Sequence, residues 1–210
     1  MSARRSNPRT SLAAFLSLVD GRRGHFQLES GHHGTLWLDL DGLFADAERI
    51  APFVTELAEA LRRHNVDMIC GPLLGGAFLA QQVAQVLRVP FCFTERRMES
   101  DAAGLYPARY VLPRIFHDRV RAKRIAIVDD VVSAGSALRG TLAELVSHGA
   151  IVAGAGALLQ LGDTGAALLA AAASAWKPSH ATSTRCGRPA TVRCVSRLCR
   201  SSVPRRRHDE

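Results

Sequence analysis

The chain has 210 residues and a mass of 22.7 kDa, and hydrophobic residues make up 47% of it and charged residues 22%. This composition is ordinary for one large folded domain, or one domain with an extension, and it excludes a collagen-like chain, a coiled coil and wholesale disorder. The formal net charge of +8 invites a nucleic-acid hypothesis, whereas a membrane crossing is not expected, because the longest apolar stretch, residues 166–176, falls short of the roughly 18 residues that a span needs.

The positive charge belongs to the C-terminal end of the chain. Nine of the 27 basic residues and two of the 19 acidic residues lie in residues 165–210, which leaves 18 basic and 17 acidic residues in the remainder. This end is rich in Arg, Ser, Thr and Pro and has neither helical nor strand periodicity. Its arginines fit RNA or an anionic lipid, but the simpler interpretation is a solvated, disordered tail, so nucleic acid is expected as a partner only through this tail. The abrupt change of composition after Trp176 also raises the hypothesis that a reading-frame change replaced the native C-terminus.

The first 45 residues predict a short helix and then a strand or hairpin. Apolar side chains recur at helical spacing at Leu12, Phe15, Leu16 and Val19. We expect an amphipathic helix here and not a signal peptide, because charged residues follow where a cleavage site would need small ones. Residues 35–40 alternate between polar and apolar side chains between flanking glycines, which is typical of a strand.

A group of histidines and aspartates near the hairpin resembles a metal site only in composition. The group consists of His25, His32, His33, Asp39 and Asp41. No pair has the i,i+4 spacing of helical metal ligands, so we interpret these as surface or hairpin residues and predict no protein metal site.

From residue 47 onward, the predicted elements alternate between helices and strands. Helices are predicted at residues 47–64, 77–87 and 136–148, and strands at residues 66–70, 90–93, 124–130 and 151–159. The strands read as solid apolar runs, which indicates a parallel α/β sheet with helices on both faces.

A polar and basic segment, residues 95–119, interrupts this alternation. It lacks a sustained period and is long for a connection, so we expect a functional or mobile loop. Its Tyr106, Arg109, Tyr110 and Arg114 either clamp an anion or a base, or belong to a solvated basic surface.

Two carboxylates and a loop of small residues follow the strand at 124–130. Ligands of parallel sheets bind beyond the carboxyl ends of the strands, where Asp129 and Asp130 are expected. The next loop, from Ser133 to Ser136, opens a helix whose free N–H groups attract a phosphate. Carboxylates beside a phosphate loop favour a sugar phosphate as ligand. The alternative is that the aspartates only end a strand and that Ser136 only caps a helix.

Residues 125–137, IAIVDDVVSAGSA, resemble the signature of the type I phosphoribosyltransferases, in which apolar residues precede two acidic ones and a Thr/Ser-small-Gly loop. Residues 70–78, CGPLLGGAF, are similar to the family's loop whose backbone approaches the pyrophosphate of 5-phosphoribosyl-1-pyrophosphate (PRPP). Arg96 and Arg97 resemble an Arg-Lys pair that contacts the same pyrophosphate. The resemblance assigns the following residues to PRPP binding: Gly71, Gly75, Gly76, Arg96, Arg97, Ser133, Ala134, Gly135, Ser136 and Ala137.

Within the family, the order of elements most resembles the orotate phosphoribosyltransferases. FQLESG at residues 26–31 looks like their F-x-L-K-S-G, although Glu29 replaces the lysine. Gly75 stands where some members have a lysine. The usual K-x-H-G of the catalytic loop is replaced by MESDAAGLYPARY at residues 98–110, and an Asp-Arg pair that meets the base is replaced by Leu161 and Gly162.

The resemblance implies the type I phosphoribosyltransferase fold, a parallel doubly wound sheet with an N-terminal hood. The hood would be residues 1–45, the PRPP-binding α/β core residues 46–165, and the basic tail residues 166–210. The implied reaction moves the phosphoribosyl group of PRPP to a nitrogenous base, with orotate as the leading acceptor, and releases pyrophosphate. Asp129 and Asp130 would be the catalytic residues. The alternative is a regulatory protein of the same fold that binds PRPP without turnover.

The resemblance also implies a cofactor and an assembly. Mg²⁺ would be bound mainly through PRPP, with few direct protein ligands. The family's orotate enzymes are dimers whose mobile loop reaches the neighbouring active site, so a homodimer is expected. Nothing in the cysteine pattern demands an oxidising compartment, so a cytoplasmic location is expected.

Overall fold

The computed structural model describes residues 12–27, 33–40, 42–98, 108–133 and 135–160. A short helix and a hairpin precede a five-stranded sheet that carries helices on both faces. In chain order the elements are α1 (Leu12–Leu16), β1 (Asp20–Gln27), β2 (His33–Asp39), α2 (Ala47–Arg62), β3 (Met68–Pro72), α3 (Gly75–Leu87), β4 (Phe91–Met98), β5 (Ala108–Val111), α4 (His117–Val120), β6 (Arg124–Val132), α5 (Ser136–Ser147) and β7 (Ile151–Gln160). The predicted tail lies outside the described residues.

The strand order of the sheet is β5-β4-β3-β6-β7. The strands β3, β4, β6 and β7 are parallel, and among the described strands of this sheet β5 alone runs antiparallel, to β4. This architecture confirms the predicted doubly wound α/β fold, with one antiparallel strand that the sequence did not predict.

Each face of the sheet has its own apolar core, because side chains alternate along every strand. Ile69 and Val128 face one core together with α2 and α3, whereas Cys70 and Ile127 face the other, which includes α5. Burial on both faces explains why the strands read as continuous apolar runs. Because both faces of the sheet are covered, a ligand can reach the strands only at their ends, and in parallel sheets ligands bind beyond the carboxyl ends.

The N-terminal hairpin is longer than predicted. Its second strand matches the predicted alternation, but β1 already begins at Asp20 and pairs there with Asp39. The sequence DGRRG at the start of β1 offers no apolar alternation, so only the pairing with β2 reveals it as a strand. The hairpin packs toward the α2 core through Leu38, and the buried Phe15 of α1 contacts Phe53 of α2 with ring centroids 5.5 Å apart.

The interpretation of residues 95–119 as a loop is wrong for most of this segment. The strand β4 continues to Met98, and β5 pairs with it so that Arg96 lies opposite Tyr110 and Arg97 opposite Arg109. A 3₁₀ turn and α4 follow before β6. The second half of β4, TERRM at residues 94–98, could not be recognised as a strand from the sequence because it is polar. A ribbon at the edge of a sheet does not need apolar side chains on both faces. Residues 99–107, including Tyr106, lie outside the described residues.

In the part of the chain that the structure describes, no helix combines the length and the apolar character needed to cross a membrane.

Candidate active site

The two aspartates lie near the carboxyl end of β6. Asp129 is only 7% exposed, and Asp130 is half-buried. The Asp130 backbone N–H donates to Asp129 Oδ1 at 3.2 Å, and the Val131 N–H donates to Asp130 Oδ1 at 2.8 Å. The strand continues to Val132, two residues further than predicted, so the pair belongs to the strand and does not terminate it.

The loop between β3 and α3 lies directly against these carboxylates. A Cβ added to Gly75 would overlap the carboxylate of Asp130, and a Cβ on Gly76 would come within 2.8 Å of Asp129 Oδ1. A Cβ on Gly71 would overlap the Gly76 carbonyl. A Cβ on Gly71 would meet backbone and one on Gly76 would meet the Pro72 ring, so close approach requires glycine there, whereas a Cβ on Gly75 would displace only the Asp130 carboxylate. The structure thus brings the three predicted glycines together with the acidic pair.

The backbone of this loop is held to the neighbouring strand. The Leu73 N–H donates to the Thr94 carbonyl at 2.8 Å, and the peptide bond between Leu73 and Leu74 is cis. Both leucine side chains are exposed, at 40% and 55%. The loop therefore presents apolar side chains to solvent at the edge where the carboxylates lie.

The loop that opens α5 lies at the same edge of the sheet, after β6. Gly135 is the N-cap residue, with φ 75° and ψ 21°, and it provides no side-chain cap for the first helical N–H groups. Ser136 is the first helical residue, so the alternative that it caps the helix is wrong. Ser133, Ser136 and Ala137 are half-buried. Ala134 lies outside the described residues.

The side chains of the two predicted arginines, Arg96 and Arg97, project from opposite faces of β4. Thr94 faces α5, where its hydroxyl lies 2.7 Å from that of Thr141, and alternation puts Arg96 on that same face. Arg97 points to the other face and is exposed, and its Nη2 lies 3.2 Å from Glu95 Oε2. Because Pro72 at the end of β3 is level with Thr94, both arginines stand beyond the carboxyl end of β3.

Tyr110 does not belong to a solvated surface. It is 6% exposed on β5, whereas Arg109 and Arg114 are exposed. The sequence alone could not decide whether these side chains bind a ligand or belong to a solvated surface, because a polar stretch without periodicity does not show which residues are buried.

A small pocket with two aromatic side chains beside Asp130 was not predicted from the sequence. The Phe44 and Phe78 rings lie 5.9 Å apart, with Phe44 reaching across from the segment before α2. Leu40 precedes Phe44 on that segment, so the N-terminal region contributes one wall of the pocket. The lining residues are Leu40, Phe44, Leu74, Gly75, Phe78 and Asp130.

Comparisons with known proteins agree on one family. The family described as a phosphoribosyl transferase domain matches residues 44–187. A protein of Caldanaerobacter subterraneus subsp. tengcongensis named orotate phosphoribosyltransferase is 30% identical over 152 residues, which cover 72% of this chain and 75% of that protein.

Two solved structures share the fold. The crystal structure of orotate phosphoribosyltransferase from Aeropyrum pernix aligns with a TM-score of 0.56 and 23% identity, covering 74% of this chain and 82% of that one. An adenine phosphoribosyltransferase from Trypanosoma brucei, in complex with AMP, pyrophosphate and ribose-5-phosphate, aligns with a TM-score of 0.60 and 16% identity, covering 79% and 74%.

Proposed function

The chain belongs to the phosphoribosyltransferase family, and from this membership we propose that it transfers the phosphoribosyl group of PRPP to a nitrogenous base and releases pyrophosphate. The observation that carries the proposal is the close approach of Gly75 and Gly76 to Asp130 and Asp129. A glycine loop that exposes backbone N–H groups suits the pyrophosphate, and the adjacent carboxylates suit the ribose hydroxyls of the same molecule.

Different groups of residues would bind the pyrophosphate and the 5′-phosphate of PRPP. The loop of Gly71, Gly75 and Gly76, with Arg96 and Arg97 beyond it, would hold the pyrophosphate. The N–H groups at the start of α5, with Ser133 and Ser136, would hold the 5′-phosphate. Ala134, Gly135 and Ala137 would contribute backbone N–H groups only.

The acidic pair would act on the charge that develops at C1. As the pyrophosphate leaves, the ribose acquires oxocarbenium-like positive charge, and two preoriented carboxylates lower its energy. Asp129 is held in place by burial and by the Asp130 N–H, so its charge is oriented before the reaction begins. Catalysis would then rest on positioning and electrostatics.

The donor set fits a magnesium ion held mainly by substrate. In the described residues no group of three or more His, Cys, Asp or Glu side chains could hold a metal, whereas Asp129 and Asp130 offer carboxylate oxygens at the site. Mg²⁺ commonly takes one or two carboxylates and completes its shell with phosphate oxygens and water. Bound there, it would neutralise charge on the leaving pyrophosphate.

We propose orotate as the first acceptor to test. The support is the name of the relative with 30% identity, together with the resemblance of the order of elements, including the N-terminal helix and the FQLESG segment, to that group of enzymes. The Phe44 and Phe78 rings lie 5.9 Å apart beside Asp130 and offer an apolar surface against which one face of a planar base could pack.

A second candidate function is PRPP binding without turnover. It is favoured by the replacement of the K-x-H-G sequence by MESDAAGLYPARY at residues 98–110, and by Leu161 and Gly162 in place of an Asp-Arg pair. Residues 99–107, 161 and 162 lie outside the described residues.

The deciding experiment measures pyrophosphate release from PRPP and Mg²⁺ with a panel of bases that includes orotate, uracil and adenine. Turnover with one base and not with the others identifies the acceptor. PRPP binding in calorimetry, with no release of pyrophosphate in the presence of any of the bases, supports the second function. Absence of both PRPP binding and turnover would reject both.

We expect Gly75→Ala to lower kcat/KM for PRPP by about 100-fold, because the new methyl group displaces the Asp130 carboxylate and small misplacements of a reacting group are costly. The fold should persist, since a carboxylate can rotate away. Gly42→Ala is the matched control, because a Cβ there meets no atom within 4 Å. Equal kinetics for the two variants would contradict the position given to Asp130.

We also propose a homodimer in which residues 98–114 of one subunit approach the other subunit's site. Light scattering at micromolar concentration is expected to give twice the mass of 22.7 kDa. A monomeric mass under these conditions would overturn the proposal.

We propose a cytoplasmic location, because the described cysteines are free thiols, which need no oxidising compartment. Cys70 and Cys92 are register partners on adjacent strands and are both buried, yet both are free thiols. A hydrogen bond to Cys92, together with burial, raises the pKa of the Cys70 thiol well above its ordinary value, so the thiol stays protonated.

A further inference from the structure

One face of α5 is joined to the β4–β5 ribbon by several specific contacts. The buried hydroxyls of Thr141 and Thr94 lie 2.7 Å apart. One turn further along the helix, Glu144 Oε1 accepts a hydrogen bond of 2.9 Å from the Leu112 N–H, just after β5. These contacts hold the ribbon against the helix.

The Tyr110 side chain also packs against Gly140. A Cβ added to Gly140 would lie 2.5 Å from Tyr110 Cδ2 and 3.1 Å from its Cγ. A glycine inside a helix lowers helix stability by about 1 kcal/mol relative to alanine. Here the Tyr110 ring occupies the space that an alanine methyl group would need, which gives a physical reason for the glycine. Tyr110 is 6% exposed and therefore fills the space that Gly140 leaves.

Tyr110 is also the direct neighbour of Arg96. The two residues lie opposite each other in the antiparallel ladder, and opposite residues share a face of the sheet. That face is the α5 face, because Thr94, two residues before Arg96, meets Thr141. The Tyr110 ring thus packs against α5, while the Tyr110 backbone pairs with that of Arg96.

The same helix begins at the loop assigned to the 5′-phosphate. Gly140 lies four residues after Ser136, which is about 6 Å along the axis. The Tyr110–Gly140 contact therefore connects the start of α5 to the strand that carries Arg96, across two elements distant in sequence.

We propose that Tyr110 is a positioning residue that, by resting on Gly140, sets the distance between Arg96 in the pyrophosphate subsite and the 5′-phosphate loop at the start of α5. The proposal rests on the proposed function, since it assumes that these two subsites receive the two ends of PRPP. A side chain at residue 140 would push the ribbon away from the helix and shift Arg96, leaving the helix start unchanged.

The test compares the parent protein with Gly140→Ala and Tyr110→Leu by calorimetry in Mg²⁺, using three probes: PRPP, inorganic pyrophosphate and ribose 5-phosphate. In both variants we expect the affinity for PRPP and for pyrophosphate to fall about tenfold, as for loss of one charge-assisted contact, while ribose 5-phosphate binds within twofold of the parent. The double variant should lose little more than Gly140→Ala alone, because both changes act through one contact. Gly42→Ala is the control for the Gly-to-Ala change itself.

Each outcome decides one way. Parent-like pyrophosphate affinity in the variants overturns the positioning role while leaving the proposed function intact. An equal loss for ribose 5-phosphate also overturns it, because the damage would then be general. If Gly140→Ala does not fold, Tyr110→Leu alone gives the same readings. If the parent protein binds neither PRPP nor pyrophosphate, the proposed function itself fails, and the inference fails with it.

Discussion

Replacing either aspartate of the acidic pair by asparagine is expected to lower kcat by about 100-fold to 1,000-fold, the usual range for loss of one group that stabilises transition-state charge. Asparagine has nearly the same size, and its Oδ1 can still accept the N–H bonds that Asp129 and Asp130 now accept. What disappears is the negative charge, which matters most when positive charge develops on the ribose. The loss should therefore fall on kcat more than on the KM for PRPP.

Steady-state kinetics of Asp129→Asn and Asp130→Asn with the best acceptor of the panel tests this expectation. Asp118→Asn is the matched control, because Asp118 is an exposed aspartate on α4 and should leave the kinetics unchanged. Kinetics within twofold of the parent would leave the pair with no more than a structural role. If no base supports turnover, the PRPP affinity of the two variants decides, and unchanged affinity would remove the pair from the binding site.

Gly135→Val is expected to abolish measurable PRPP binding, a loss of more than about 100-fold, because the variant damages the phosphate loop in two ways. First, Gly135 has φ 75°, a left-handed conformation that a β-branched residue cannot adopt without strain. Second, a side chain there would stand where backbone N–H groups must approach the phosphate. The loop would change conformation, while the rest of the sheet should remain folded.

Calorimetry with PRPP and Mg²⁺ measures this loss, and thermal unfolding checks the fold. Gly135→Asn separates the two causes, since asparagine tolerates the left-handed region. We expect Gly135→Asn to retain more affinity than Gly135→Val. Undiminished PRPP affinity in the valine variant would move the 5′-phosphate away from this loop.

Several features of this protein were determined by short stretches of its sequence. The strands β3, β6 and β7 and the helices α2, α3 and α5 all occur where the apolar patterns predicted them. Residues buried on both sides of a sheet or along one helix face leave a periodic trace that can be read locally. The signature at residues 125–137 likewise sufficed to predict the family, because strand, carboxylates, loop and helix follow each other without interruption.

Other features were decided only by tertiary structure. Gly75 and Gly76 lie against Asp130 and Asp129, which come more than fifty residues later, so a side chain at either glycine would displace a carboxylate of the acidic pair. The strand β5 is recognised only through its pairing with β4, because its four residues, ARYV, are too few to show a periodic pattern. The side chains of Arg96 and Arg97 point in opposite directions because residues 94–98, TERRM, form a strand.

The contact of Tyr110 with Gly140 is the clearest case of this kind. A glycine in a helix predicts only a loss of helix stability, and a tyrosine in a polar segment predicts nothing definite. Their roles arise from van der Waals contact between elements that the chain connects through β6 and the loop after it. Periodicity is a property of neighbouring residues, whereas a close approach depends on how whole elements pack, so only the folded structure could decide it.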